Sequence, residues 1–249
     1  MKERILLGML TPSSNTVLEP VTSAMIAGLP EVSAHFARFR VTEIALSSEA
    51  LNQFDDTAIL EAARLLTDAR VDVIAWNGTS SGWLGFEADV ILCARITAET
   101  GIPATTSVLA LNEILETTGA RAFALATPYL DDVQQKIVAN YARSGFSVVA
   151  ERHLNQRVNF SFSEVTAAEI TAMVADLAAA RPSAISTFCT NLRAAPLVDG
   201  LEREFGVPIY DTIATVVWKS LQMTGVDTRR IKGWGRLFDG DLRKGDPWK

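Results

Sequence analysis

The sequence predicts an α/β protein built from two pseudo-symmetric halves. Each half is a four-stranded parallel sheet flanked by helices, and the active site lies in the cleft between them. Short apolar runs alternate with helical patterns of 10 to 16 residues, which is typical of parallel sheets covered by helices. Similar segments also recur in the two halves of the chain. With 249 residues and 48% hydrophobic content, the chain can bury a sizeable core.

The first half is expected to hold four strands, each read from an apolar or β-branched run that ends at small polar residues. They cover residues 5–10, 35–46, 71–76 and 103–106. Helices are predicted where apolar residues recur at helical spacing, as Val17, Val21 and Met25 do. These helices cover residues 16–27, 55–69, 86–100 and 107–118.

The second half repeats the same order of elements. Its predicted strands cover residues 122–126, 146–152, 184–188 and 207–210. Its predicted helices cover residues 131–144, 165–180, 196–205 and 212–224. The expected boundaries are therefore 1–118 for the first half and 119–225 for the second. A C-terminal segment, 226–249, is expected to pack back on the body and to end in solvated residues.

An internal repeat is the strongest sign that the halves are related. The first strand of each half ends at Thr-Pro, the third ends at Gly78 or Cys189, and a Gly-x-Pro precedes the fourth. The ligands of open α/β sheets bind beyond the carboxyl ends of the strands. The repeat therefore places Gly78 and Cys189 on opposite sides of one cleft.

Composition narrows the range of functions. The net charge is −6, and no cluster of Lys and Arg stands out, so neither nucleic acid nor an anionic membrane is an expected partner. No N-terminal signal and no apolar stretch of roughly 20 residues is present, which predicts a cytoplasmic protein. Two cysteines and two histidines match neither a disulfide framework nor a zinc motif, and no metal site is expected.

Cys189 is the main candidate for chemistry. It follows an apolar run, and a thiol at a strand end can act as a nucleophile or a proton donor when backbone N–H groups surround it. The alternative is a buried structural cysteine. Cys93 lies within a helical pattern and is expected to be core packing.

Hydroxyl groups supply the other candidates. Thr79 and Ser80 follow the third strand, where hydroxyls and N–H groups suit a carboxylate or a developing enolate oxygen. Ser14 and Asn15 follow the first strand, at the place that corresponds to Tyr129 in the second half. In both places a simple helix cap is the alternative interpretation.

The motifs "TPSSNTVLEP", "NGTSSG", "ALATPYLDDV", "FCTN", "GVPIYDT" and "GWGRLF" resemble the aspartate/glutamate racemase superfamily. The resemblance extends over nearly the whole chain and is to the branch that contains arylmalonate decarboxylase and maleate cis–trans isomerase. It implies a two-half α/β fold and catalysis without metal or organic cofactor. Racemases and the isomerase in this group place one cysteine on each side of the substrate, at positions matching Gly78 and Cys189. Here the first cysteine is missing.

The resemblance also implies roles for individual residues. Thr79, Ser80, Tyr129 and the N–H of Thr190 match groups that hold the remaining carboxylate and stabilise an enediolate, which Cys189 then protonates. Other residues match the isomerase branch, in which asparagines bind a substrate carboxylate. They are Asn15 and Asn159, together with Ser14, which lies in the same loop as Asn15.

The expected function is decarboxylation of a small dicarboxylate, most simply a substituted malonate, through an enediolate protonated by Cys189. The polar Asn15 favours a more polar diacid than an arylmalonate. Gly78→Cys is expected to introduce racemisation, since two acids would then flank one carbanion. Alternatives are a maleate isomerase or Asp/Glu racemase activity and, in another class, a non-catalytic dicarboxylate-binding protein. A homo-oligomer is possible on the sequence alone.

Overall fold

Two parallel sheets of the same topology form the protein. The computed structural model describes residues 3–54 and 56–240. The first sheet has the strand order β2-β1-β3-β4 and the second the order β6-β5-β7-β8. The strands are β1 Ile5–Pro12, β2 Val32–Phe39, β3 Val73–Trp76, β4 Ala104–Thr106, β5 Ala122–Thr127, β6 Ser147–His153, β7 Ile185–Thr187 and β8 Ile209–Asp211. The matching orders confirm the predicted fold class.

Helices cover these sheets and connect the parallel strands. They are α1 Leu18–Met25, α2 Ser48–Leu51, α3 Asp56–Asp68, α4 Ser81–Leu84, α5 Phe86–Thr100, α6 Ser107–Thr117, α7 Asp131–Arg143, α8 Ala167–Ala178, α9 Val198–Phe205 and α10 Thr212–Met223. Short 3₁₀ turns cover Asn52–Phe54, Asn159–Glu164, Ala195–Leu197, Thr228–Arg230 and Arg236–Phe238. Asp55, at which the second predicted helix (residues 55–69) begins, lies outside the described residues.

Capping side chains explain where several helices begin. The hydroxyl of Thr106 accepts from Leu109 N at the start of α6. Asp211 accepts from Ile213 N and Ala214 N at the start of α10. At the other ends, Gly101 and Gly206 take the left-handed conformation that follows α5 and α9, which glycine adopts at little cost.

The second strand differs from its prediction over residues 35–46. β2 runs from Val32 to Phe39 and pairs with β1 until Pro12 lies opposite Phe39. Residues 40–47 then leave the sheet as a loop, although they are rich in apolar side chains. Ile44 N donates to Arg157 O at 2.9 Å, and Asn159 N donates to Thr42 O at 3.0 Å. The loop therefore bonds to the other half of the protein instead of to its own sheet.

The two halves share one continuous core. Helices α6 and α10 pack against each other, and α4 packs against α7. Gly82 of α4 also lies close to the second sheet, because a Cβ there would lie 2.7 Å from the ring of Phe188. Asn140 Nδ2 also donates to Gly82 O at 2.6 Å. The strand ends of both sheets are thereby held against one cleft.

The C-terminal segment, described as far as Gly240, contacts both halves: Arg230 pairs with Glu31 of the first half, and the last 3₁₀ turn packs against α10 and β8. Leu237 and Phe238 are buried, and the Glu202 carboxylate accepts from Arg236 N at 2.7 Å and from Ile209 N at 2.8 Å. The predicted solvated residues after 240 lie outside the described part of the chain. Within that part, no helix combines the length and the apolar character needed to cross a membrane.

Candidate active site

A small cavity lies where the carboxyl ends of the central strands of the two sheets meet. Its volume is about 20 Å³, which is room for roughly one water molecule. The lining residues come from both halves: Pro12, Val41, Ile44, Trp76, Gly78, Thr79, Ser80, Trp83, Tyr129, Asn159, Cys189 and Thr190. One side is apolar and the other carries hydroxyls and a thiol.

Cys189 lies two residues after the end of β7 and is 3% exposed. Burial raises the pKa of its thiol to about 12, and this effect outweighs hydrogen bonds from Asn191 N and Tyr129 that favour the thiolate. Asn191 N lies 3.4 Å from the sulfur. At neutral pH the side chain is therefore a protonated thiol, suited to giving a proton.

Tyr129 and Thr79 join the two halves at the polar side of the cavity. Their hydroxyl oxygens lie 2.5 Å apart, and the Tyr129 hydroxyl also hydrogen-bonds to Cys189. Burial, followed by the nearby Cys189, raises the pKa of Tyr129 well above its usual value, so its hydroxyl stays a donor. Ring contacts with Trp83 at 5.4 Å and Phe162 at 5.7 Å fix its position.

Ser80 and Thr190 are two further residues with hydroxyl groups that line the cavity. Ser80 begins α4 but makes no side-chain cap bond there, and its hydroxyl lies beside the cavity. Thr190 donates to Asn77 O at 3.0 Å and accepts from Asn15 Nδ2 at 3.2 Å. The hydroxyl of Thr190 is thus already engaged in holding the two halves together.

Asn15 does not line the cavity in the described structure. Its Nδ2 donates to Thr190 O at 3.1 Å, and its Oδ1 accepts from Val17 N and Leu18 N at 2.9 Å each. Asn15 therefore caps the start of α1 and bonds across the cleft. The amide that the sequence assigned to a substrate carboxylate has partners within the protein.

Ser14 and Asn159 bond to each other at the edge of the cavity. Asn159 Nδ2 donates to Ser14 Oγ at 2.8 Å, and Ser14 Oγ donates to Val41 O at 2.6 Å. Asn159 lines the cavity, whereas Ser14 lies outside its lining. The pair therefore links the 40–47 loop to residue 159 at the edge of the cavity.

Sequence reasoning missed several residues at the site. Asn77 and Asn191 are buried. Asn191 Oδ1 accepts from Thr16 N at 3.0 Å across the cleft, and Asn191 Nδ2 donates to Asn159 O at 2.6 Å within the second half. Asn77 and Asn191 each lie within two residues of Gly78 or Cys189 in the sequence. This position beside the repeated strand ends could have identified both as site residues. The apolar loop residues Val41 and Ile44 were hidden because the strand prediction included them.

Two buried carboxylates lie behind the site. Asp89 accepts from Ser81 Oγ at 2.8 Å and from Thr106 Oγ1 at 2.5 Å, and burial raises its pKa to about 6. Asp211 accepts from Thr187 Oγ1 at 2.8 Å, and burial raises its pKa to about 6 as well. Each holds a threonine beside the strand ends. Among the described residues, no group of His, Cys, Asp and Glu side chains could hold a metal ion.

The protein has two similar halves, and a buried thiol and several hydroxyls lie between them. It is therefore of the class of α/β proteins whose site lies in the cleft between two related halves. The family model described as arylmalonate decarboxylase matches residues 8–238. The chain therefore belongs to the arylmalonate decarboxylase family, in the branch that also includes maleate isomerase.

The relatives of this chain include an arylmalonate decarboxylase and maleate isomerases. The arylmalonate decarboxylase of Bordetella bronchiseptica is 29% identical over 189 residues, covering 73% of this chain and 77% of that protein. The maleate isomerase of Geobacillus stearothermophilus is 25% identical over 251 residues, covering 96% and 99%. A variant of the maleate isomerase Iso from Pseudomonas putida S16, solved with maleate, has a TM-score of 0.88 at 22% identity, covering 96% of this chain and 99% of that one. The structural likeness establishes the fold.

Proposed function

We propose that the protein is a cofactor-independent decarboxylase of a substituted malonate, with Cys189 as the proton donor. The observation that carries the proposal is the one-sided distribution of acids around the cavity. A buried, protonated thiol and the Tyr129 hydroxyl lie together, whereas position 78 is a glycine. One proton donor suits protonation of a carbanion from one face.

The reaction follows from these groups. The bond between the α-carbon and one carboxylate breaks, carbon dioxide leaves, and the electron pair passes into the remaining carboxylate as an enediolate. We propose that three donors form hydrogen bonds to the negatively charged oxygen of this enediolate: the hydroxyls of Thr79 and Tyr129 and the N–H of Thr190. Donors placed this way supply about 3–4 kcal/mol each. The Cys189 thiol gives its proton to the α-carbon, and solvent returns a proton to the thiolate.

The apolar lining supports decarboxylation. Val41, Ile44 and Trp83 face the cavity, and an apolar wall favours loss of a carboxylate by denying it hydration. The expectation of a more polar substrate depended on Asn15 and Asn159, and the Asn159 amide donates to Ser14 Oγ at 2.8 Å. Because the Asn15 amide bonds to Thr190 and to α1, it gives no reason to expect a second polar carboxylate subsite.

Maleate isomerisation is the second candidate, because full-length relatives include maleate isomerases. That reaction, as the resemblance implies it, begins with addition of the first cysteine to the alkene, and this chain has Gly78 at the matching position. Burial raises the pKa of Cys189 to about 12, which disfavours the thiolate. A binding protein without turnover is the remaining alternative.

A substrate panel separates the three functions. Phenylmalonate, methylphenylmalonate, maleate and aspartate are incubated with the protein at one pH, and carbon dioxide, fumarate and racemised aspartate are measured. We expect carbon dioxide from the malonates and none with Cys189→Ala. Cys93→Ala is the matched control, since Cys93 lies half-buried on α5, and it should retain turnover. Fumarate from maleate, or thermal stabilisation by diacids without any product, would overturn the proposal.

A further inference from the structure

The side-chain space of Gly78 is occupied by the indole of Trp76. A Cβ built on Gly78 would lie within 3.0 Å of three indole carbons, closer than real Cβ atoms approach their neighbours. Trp76 precedes Gly78 by two residues at the end of β3, so both point to the same side of the chain. Trp76 thus fills the place that matches the first cysteine of the racemases and the isomerase.

The indole cannot easily move aside. Trp76 is 1% exposed and packs against Phe39, with ring centroids 5.0 Å apart and planes tilted by 46°. Both residues belong to the core of the first half. A side chain at position 78 must therefore displace a large buried ring, which overpacks the core.

The indole N–H of Trp76 is a buried hydrogen-bond donor. Trp76 Nε1 is buried and has no hydrogen-bond partner among the described residues, while Trp76 lines the cavity beside Thr79. An indole N–H donates but cannot accept, and buried donors are nearly always paired in native proteins. An oxygen acceptor entering the cavity, such as a substrate carboxylate, would satisfy it.

We infer that Trp76 determines the one-sidedness of the site: its ring replaces the second acid, and its N–H binds a carboxylate oxygen of the substrate. This inference rests on the proposed function and deepens it. An indole neither gives nor takes a proton at working pH, so the face of the carbanion toward Trp76 meets no acid. The expectation from the sequence, that Gly78→Cys alone introduces racemisation, is revised on steric grounds.

The steric part is tested without activity. We expect Gly78→Ala to lower the Tm by roughly 2–10 °C, as overpacking does in a protein of this size. In a Trp76→Leu background the same substitution should cost little, because the ring is gone. Gly28→Ala is the matched control, since nothing lies within 4 Å of its added Cβ. A Gly78→Ala protein as stable as the Gly28→Ala control would overturn this part.

The one-sidedness is tested by proton exchange. The α-phenylpropionate product is incubated in D₂O with Gly78→Cys and with Gly78→Cys/Trp76→Leu, and its racemisation is followed. We expect racemisation in the double variant only, where a second thiol has room. Racemisation at equal rates in both variants would contradict the inference.

The N–H is tested by Trp76→Phe, which retains a ring without a donor. We expect the KM for methylphenylmalonate to rise roughly 5- to 10-fold through the lost hydrogen bond, with kcat less affected. An unchanged KM would remove this part of the inference. If the unmodified protein turns over no malonate, the proposed function fails, and the stability comparison still decides whether Trp76 excludes a side chain at position 78.

Discussion

Replacing Tyr129 with phenylalanine removes one hydroxyl from the polar side of the cavity. That oxygen lies 2.5 Å from Thr79 Oγ1 and bonds to Cys189. Loss of one preorganised donor to a developing oxyanion lowers kcat by about 10²–10³, or about 2.7–4 kcal/mol. The ring remains and keeps its contacts, so KM for methylphenylmalonate should change little. Stopped assays of carbon dioxide release give both constants.

Stability separates this effect from damage to the fold. The lost hydrogen bond to Thr79 should lower the free energy of unfolding by about 1 kcal/mol, which is a Tm shift of roughly 2–4 °C. Tyr141→Phe is the matched control, because the buried Tyr141 hydroxyl has no hydrogen-bond partner among the described residues. It should keep kcat and lose no stability. If Tyr129→Phe keeps kcat within a factor of three, or if both variants lose it equally, the role of Tyr129 is refuted.

Two further predictions concern the frame of the site. Asn15→Ala removes hydrogen bonds to Thr190 and to the start of α1. The free energy of unfolding, measured in urea, should therefore fall by about 2–4 kcal/mol. A fall below about 0.5 kcal/mol, in the range typical of surface positions, would contradict this role of Asn15. Asp89 has a pKa raised by burial from 3.8 to about 6. The folded protein therefore binds more protons at Asp89 than the unfolded chain does between these values, and the contribution of Asp89 to stability falls as pH rises from 4 to 6. Asp89→Asn should reduce that fall, and an unchanged slope in denaturation at several pH values would contradict the burial argument.

The fold was predictable because its signals are periodic and repeated. Alternation of strands and helices, with Gly78 and Cys189 at equivalent points, indicated two similar sheets, and both sheets have the same strand order. Periodicity did not show where β2 ends. Residues 40–47 are apolar enough to continue a strand, but they bond to residues 157–159 of the other half. A contact between distant segments leaves no local pattern.

The site was predictable in position but not in its packing. Tyr129 and Cys189 come together because they follow neighbouring parallel strands of the second sheet. Thr79 follows a strand of the first sheet and contacts Tyr129 across the cleft. The sequence could not show that Asn15 is used inside the protein, because a capping amide and a ligand-binding amide look alike. Nor could it show that Trp76 covers Gly78, since the direction of a buried ring depends on neighbours such as Phe39.

The central claim is that Cys189 protonates a carbanion from one face. Decarboxylation of methylphenylmalonate in D₂O tests it most directly, with the α-phenylpropionate product examined for deuterium and for handedness. We expect one α-deuterium in product of a single configuration, and no such product with Cys189→Ala. Racemic product from the unmodified protein, or full stereoselective turnover by Cys189→Ala, would contradict it.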